Sequence, residues 1–290
     1  MDSLPATETA LPDGDAGDRA DDYEALLEAS YGNRDETGWR SYAEGERTDK
    51  LFDLANMLNP RFWRIARRAA SAPVRRVHVV AVDVPARRDD LQGVFRALRD
   101  SRHQVTTSLA PLGDRGKFQN INIGLADVDL SGVDWLIVVD DDVAFPTHFL
   151  DRFIYTCEAA ALKIAQPAHR FRSHTTWAIT QRYWNSLAHL THFVECGPLT
   201  AFHRDVFDRV LPFPESRWAW GVDVVWAEIA RRDGFRIGVV DATPIEHLRP
   251  VAATYDAEAA RREARALLDR YRVRRTHREV FATTAVLSRL

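Results

Sequence analysis

The stretch VDWLIVVDDDVAFP, residues 133–146, is an apolar run that stops abruptly on three consecutive aspartates. Trp135 to Val139 are all large or β-branched, the composition of a strand buried on both faces. Three carboxylates at the tip of such a strand repel one another, and a bound cation neutralises them most economically. Asp140 and Asp142, two apart, are able to turn toward one ion. Hard oxygen donors suit Mn2+ or Mg2+, which bridge readily to phosphate oxygens. A solvated Asp-rich turn is the plainer reading of the same letters, but the direct passage from WLIVV into DDD favours the metal.

Working outward, VRRVHVVAVDVP at 74–85 is a near-continuous β-branched run, and DDLQGVFRALRDS follows with helical periodicity. HQVTTSLAPLG, ending in Pro111 and Gly113, reads as a short second strand. The polar loop GDRGKFQNIN comes next, then a helix beginning near Asn120. A β-α-β-α-β order predicts a mostly parallel, Rossmann-like α/β sheet flanked by helices, with ligands outside the carboxyl ends of its strands. Farther on, residues 194–247 read as loop, helix, Pro-broken loop, helix and strand, Gly234 ending the second helix.

The ends differ in character. Residues 1–21 are acidic and poor in large apolar groups, predicting a disordered tail. Residues 22–72 predict an N-terminal helical extension, in which Pro60 opens RFWRIARRAA at a first-turn position. That last helix sets Phe62, Trp63 and Ile65 among arginines, which leaves peripheral membrane contact open; packing of its aromatic face on the main domain is the expected role. The catalytic domain is assigned to 73–255 and a charged, helical C-terminal flank to 256–290.

Composition narrows the function. With 46% hydrophobic and 28% charged residues the chain is ordinarily globular, and a net charge of -3 offers no field for holding nucleic acid. Cys157 and Cys196 fit neither a disulfide framework nor a zinc spacing. No secretory leader and no run long enough to span a bilayer is present, so a cytoplasmic protein is expected.

The segment NIGLADVDLSGVDWLIVVDDDVAFP at 122–146 resembles the nucleotide-sugar segment of family 2 and related GT-A glycosyltransferases, whose metal motif is Asp-x-Asp. The resemblance covers roughly 74–250 and implies metal-dependent transfer of a sugar from a nucleotide-diphosphate-sugar donor to a hydroxyl, on a carbohydrate or another acceptor. It implies that Asp140 approaches the donor ribose and Asp142 ligates the metal, with Asp141 an alternate for the donor. Lys117, Asn120 and Asn122 fall where the family places a basic residue and an Asn near the diphosphate. Asp83 falls where the first strand meets the nucleobase. The acid that family members often carry after the second strand is missing from TTSLAPL, so the base is left open. Downstream, Gly197 stands for the acceptor loop, with Glu195 beside it; Gly221 and Asp223 stand for the Gly-acid motif opening a helix, and His247 for the last metal ligand. RPVAATYD at 249–256 stands for the lid.

Chemistry supports the placement of Asp223, since displacement with inversion at an anomeric carbon requires a carboxylate to take the acceptor's proton. The same residue would serve as a helix N-cap without any chemistry. Trp218 and Trp220 flank it and offer indole faces to a sugar ring. Two rival functions remain: nucleotidyl transfer onto a sugar phosphate, disfavoured by the glycine-free VDVPARRDD after the first strand, and non-catalytic binding of a nucleotide sugar.

Overall fold

The computed structural model describes residues 23, 25–27, 42–249 and 256–290. The predicted tail at 1–21 and residues 250–255 of the predicted lid lie outside the described residues.

The sheet is built outward from β3 (Trp135–Val139), all five of whose residues are buried. β1 (Arg76–Asp83) and β2 (Gln104–Pro111) lie parallel to it on one side. On the other side β7 (Leu199–His203) runs antiparallel, followed by β5 (Leu162–His169) and β8 (Arg236–His247), which are parallel to each other. β6 (Ala188–Thr191) and β9 (Thr283–Leu287) close the edge. The order is β2-β1-β3-β7-β5-β8-β6-β9, and only β7 and β6 oppose the common direction, so the mostly parallel α/β expectation holds. A ninth strand, β4 (Val143–Ala144), leaves the main path and pairs with β8.

Alternation along β3 divides the core between the two faces. Trp135, Ile137 and Val139 join Ile65 and the helices α3 (Arg88–Arg99) and α5 (Phe149–Ala159). Leu136 and Val138 face the opposite way, toward Phe118, Phe202, Phe213 and Trp226. Phe118 sits on α4 (Lys117–Leu125) and Trp226 on α7 (Val222–Asp233). Their rings meet edge-on at 5.3 Å, and Trp226 also meets Phe202 at 4.9 Å. Each such fully buried side chain contributes roughly 1.5–3 kcal/mol of transfer free energy, which fixes β3 and α7 relative to each other.

Three features differ from the sequence expectations or go beyond them. Helix α4 begins at Lys117, earlier than expected, because Gly116 serves as its N-cap and its N–H donates to Gln119 Oε1 at 2.9 Å. A Cβ at Gly116 would meet Ser216 O at 2.2 Å, so glycine is required by that close approach. Segment 195–203, read as loop, contains the antiparallel β7; LTAFH, enclosed by Pro198 and Arg204, is too short to show period-two alternation. The C-terminal flank contains α8 (Ala257–Arg270) and the short α9 (His277–Val280), and in addition β9, which pairs with β6.

The extension is helical in α1 (Tyr42–Leu58) and α2 (Pro60–Ala69), with Asn59 as N-cap and Pro60 in the first turn. Ile65 and Ala69 are buried and Phe62 packs against the core beside α5, while Trp63 is 62% exposed. Asp49 on α1 is fully buried and accepts from the backbone N–H groups of Phe171 and Arg172 at 3.1 and 3.2 Å and from Arg182 at 3.3 Å. This ties the extension to the loop that supports the site. Among the described residues no helix is long and apolar enough to cross a membrane.

Candidate active site

The chain leaves β3 at Val139, and the three aspartates emerge at its carboxyl end. Asp140 is anchored through its N–H, which donates to Pro198 O at 2.8 Å. The short ladder between β4 and β8 then sets Val143 opposite His247, and Leu248 N–H donates to Asp142 O at 2.9 Å. That pairing brings a histidine remote in sequence against the aspartate cluster.

One ligand atom each from Asp140, Asp142 and His247 lies within 4.8 Å of the others. His247 Nε2 is 3.2 Å from Asp142 Oδ1, and its Nδ1 faces His174 O at 3.2 Å. The carbonyl holds the Nδ1 proton and turns Nε2 toward the acids, the arrangement commonly found behind a metal-ligating imidazole. Ser173 supports it from behind: its hydroxyl accepts from His247 N–H at 2.8 Å and contacts His169 Nδ1 at 2.9 Å. Burial works against ionisation of Asp142, but the His247 partner outweighs it and holds the carboxyl below its ordinary range. For His247, burial opposes the charge while Asp142, Asp140 and Glu195 favour it, with a net rise. Two carboxylate oxygens and one imidazole nitrogen this close together could hold a divalent cation.

Asp141 points elsewhere. Its Oδ1 lies 3.1 Å from Arg249 Nη1 and 3.5 Å from Arg87 Nη1, and Arg249 also pairs with Asp90 on α3. Burial, with Asp142 and Asp140 alongside, still raises its carboxyl above the usual range. Arg249 opens the segment 249–256 that the resemblance assigns to the lid, though no role for its side chain followed from that; Arg87 is one among many arginines and nothing in its local pattern marks it.

Lys117 Nζ lies 2.6 Å from Asp140 Oδ1 and 3.3 Å from Cys196 O, so the first turn of α4 delivers a cation to the cluster of Asp140, Asp142 and His247. Gly197 closes this corner, since a Cβ there would stand 3.2 Å from Asp140 Oδ2. Asn120 is buried; its Nδ2 donates to Arg115 O at 3.3 Å and its Oδ1 finds no hydrogen-bond partner among the described residues. Asn122 is engaged differently, its amide exchanging two hydrogen bonds with the backbone of Phe213 at 2.9 and 2.8 Å. Asp83, at the end of β1, is held by Arg88 at 2.6 and 2.8 Å, which lowers its pKa.

On the opposite wall Asp223 occupies the second helical position of α7. The N-cap is Gly221, whose φ of 80° is the left-handed conformation glycine adopts without strain. Asp223 is therefore not the cap, and its Oδ1 accepts from Val224 N–H at 2.9 Å. Burial pushes its carboxyl up to about 7, the Val224 N–H opposing and Glu195 adding to the rise. Asp223, Lys117, Glu195 and Asp140 all act electrostatically on the half-buried Cys196 thiol, which brings both walls to one locality. Glu195 Oε2 stands 3.3 Å from His169 Nε2 without hydrogen-bond geometry, and its N–H donates to Gln166 Oε1. Trp218 and Trp220 are half-buried; Trp220 packs against the core and Trp218 carries Arg217 over its ring at 5.6 Å.

No protein-family model and no curated protein matches the sequence. Solved structures resemble it at low identity. The catalytic domain of Drosophila β1,4-galactosyltransferase 7 complexed with xylobiose is 14% identical with a TM-score of 0.41, over 66% of this chain and 81% of that one. S. aureus TarS 1–349 in complex with UDP-GlcNAc is 11% identical with a TM-score of 0.46, over 64% and 61%. GalNAc-T7 with UDP, GalNAc and Mn2+ is 10% identical with a TM-score of 0.43, over 69% of this chain and 50% of that one.

Proposed function

We propose that this chain transfers a sugar from a nucleotide-diphosphate donor to a hydroxyl of a carbohydrate or other acceptor, with inversion at the anomeric carbon. The observation that carries the reading is the convergence of Asp140, Asp142 and His247 on one point, with Lys117 beside them. Asp140, Asp142 and His247 hold Mn2+ or Mg2+ in this reading; when bound, the ion neutralises charge on the departing diphosphate. Lys117 adds a positive charge in the same corner and is positioned to exchange its contact with Asp140 for a phosphate oxygen. Arg87 and Arg249, paired with Asp141, extend that positive wall toward the end of β1. In this reading Asp83, at that end, meets the nucleobase, and Asn120 and Asn122 border the donor from α4.

Asp223 acts as the base. A carboxyl with a pKa of about 7 is partly ionised at neutral pH and basic enough to draw a proton from a hydroxyl as the new bond forms. Glu195 raises its basicity, and Gly197, Trp218, Trp220 and Gly221 border the acceptor. The reaction balances without another reactant: the glycosyl–phosphate bond breaks, the glycosyl–oxygen bond forms, and the acceptor proton passes to Asp223.

A panel of nucleotide-diphosphate sugars, incubated with Mn2+ or with EDTA, tests this. The expected result is metal-dependent release of nucleoside diphosphate with an inverted product by NMR. A retained configuration removes Asp223 as base. Pyrophosphate release from a nucleoside triphosphate and a sugar phosphate, with no turnover of any nucleotide sugar, replaces the reading with nucleotidyl transfer.

A further inference from the structure

At the far end of α7 from Asp223, a cavity of about 610 Å³ is lined by His192, Arg231, Arg274, Arg275, Arg278 and Glu279 with Ala282. Arg231 follows Asp223 by a little over two helical turns, roughly 12 Å along the axis at 1.5 Å per residue, so this cavity is separate from the site above.

Four arginines and one histidine share its lining with a single glutamate. Arg231 is paired with Glu228 at 2.6 Å, and Glu228 is shared with Arg232 at 2.9 Å. Glu279 commits Oε2 to the N–H and hydroxyl of Thr276, at 2.9 and 3.1 Å, as the capping box of α9, and acts on Arg275 only at a distance, without an ion pair. Among the described residues no carboxylate pairs with the guanidinium of Arg274, Arg275 or Arg278. Arg275 Nε is buried and has no hydrogen-bond partner among the described residues, an orphaned donor on a cation. Leaving such a group unmatched costs more than leaving a neutral one. Burial, and Arg231 next, depress the Arg275 pKa against the pull of Glu228 and Glu279, and burial and Arg275 depress that of His192 against Glu279, so burial and like charge together outweigh the opposite charges.

We propose that this cavity binds a phosphate-bearing ligand, gripped by Arg274, Arg275 and Arg278. Planar guanidinium forks match phosphate oxygens bidentately, and three of them together exceed the need of a single carboxylate. The volume lies within the range of small-molecule sites. The proposal does not rest on the transferase reading, and none of its three arginines belongs to that site.

Isothermal titration of the full chain in EDTA, at matched ionic strength, with inorganic phosphate, pyrophosphate and dimethyl phosphate tests it. Pyrophosphate and phosphate are expected to bind, and the dimethyl phosphate arm distinguishes a terminal phosphate from a phosphodiester as the natural source. The exposed pair R274A/R278A, which leaves the core untouched, is expected to weaken pyrophosphate binding tenfold or more, and R275M to do the same. Absence of binding by the unmodified chain overturns the proposal. So does binding by R274A/R278A with unchanged affinity, which would assign the anion to Lys117 and its surroundings.

Discussion

Asp142 and Asp223 are the same side chain at nearly the same exposure, 7% and 6%, yet their pKa values move in opposite directions. Asp142 stands at a strand tip with an imidazole 3.2 Å away, so burial is outweighed and the carboxylate stays charged. Asp223 has only backbone N–H groups and a neighbouring carboxylate for company, so burial prevails and the proton is held to about 7. A permanently charged carboxylate suits a cation, and one that titrates near neutrality suits proton transfer. Environment, not residue type, sets the two aspartates apart.

The largest effect that tests this division is expected from Asp223→Asn. It keeps the shape and the metal-side wall but removes the base, so kcat should fall by about 10²–10⁴-fold while donor affinity, read by titration of the nucleotide sugar, stays within about twofold. An unchanged kcat would end the distinction between the two aspartates.

A second effect appears in stability. In the unfolded chain Asp223 gives up its proton in the ordinary aspartate range, near 3.8, whereas the folded chain keeps it to about 7. Between those values folding takes up a proton, so Asp223 lowers stability as pH rises, by up to about 1.4 kcal/mol per unit, and the loss levels off above about 7. D223N lacks that group. Denaturant unfolding from pH 4 to 8 should therefore give a flatter profile for D223N, with the variant gaining on the unmodified chain as pH rises. Parallel profiles would mean that Asp223 is not raised.

The smallest effect concerns the corner shared by Lys117 and Asp140. Lys117→Met removes one charge-assisted contact to a diphosphate, worth roughly 1.5–3 kcal/mol, so donor KM should rise about tenfold or more with the Asp223-dependent step retained. A pure loss in kcat would instead place Lys117 on the transition state alone.

What was legible in the sequence follows the same division. β3 and its acid tip could be read directly, because a fully buried strand that ends in charge leaves a sharp boundary, and β1, α3 and β2 follow from periodicity. His247 came only through resemblance: a single histidine carries no local signal, and its place depends on the two-residue ladder that pairs Val143 with it. The supports at His169, Ser173 and His174, and the arginines at 87 and 249, exist only as contacts between distant segments. Antiparallel β7 and edge strand β9 were missed because five residues between breakers or basic runs fix no period. Gly221, read as part of an acid motif, proves to be the helix cap itself, which frees Asp223 from capping.

The most direct test of the account is the position of Mn2+ located by anomalous diffraction in crystals of the chain soaked with the ion and a nucleoside diphosphate. The expected peak is bonded to Asp142 and His247, with Asp140 and the diphosphate oxygens around it. A peak elsewhere, with Asp142 and His247 still paired to each other, would contradict it.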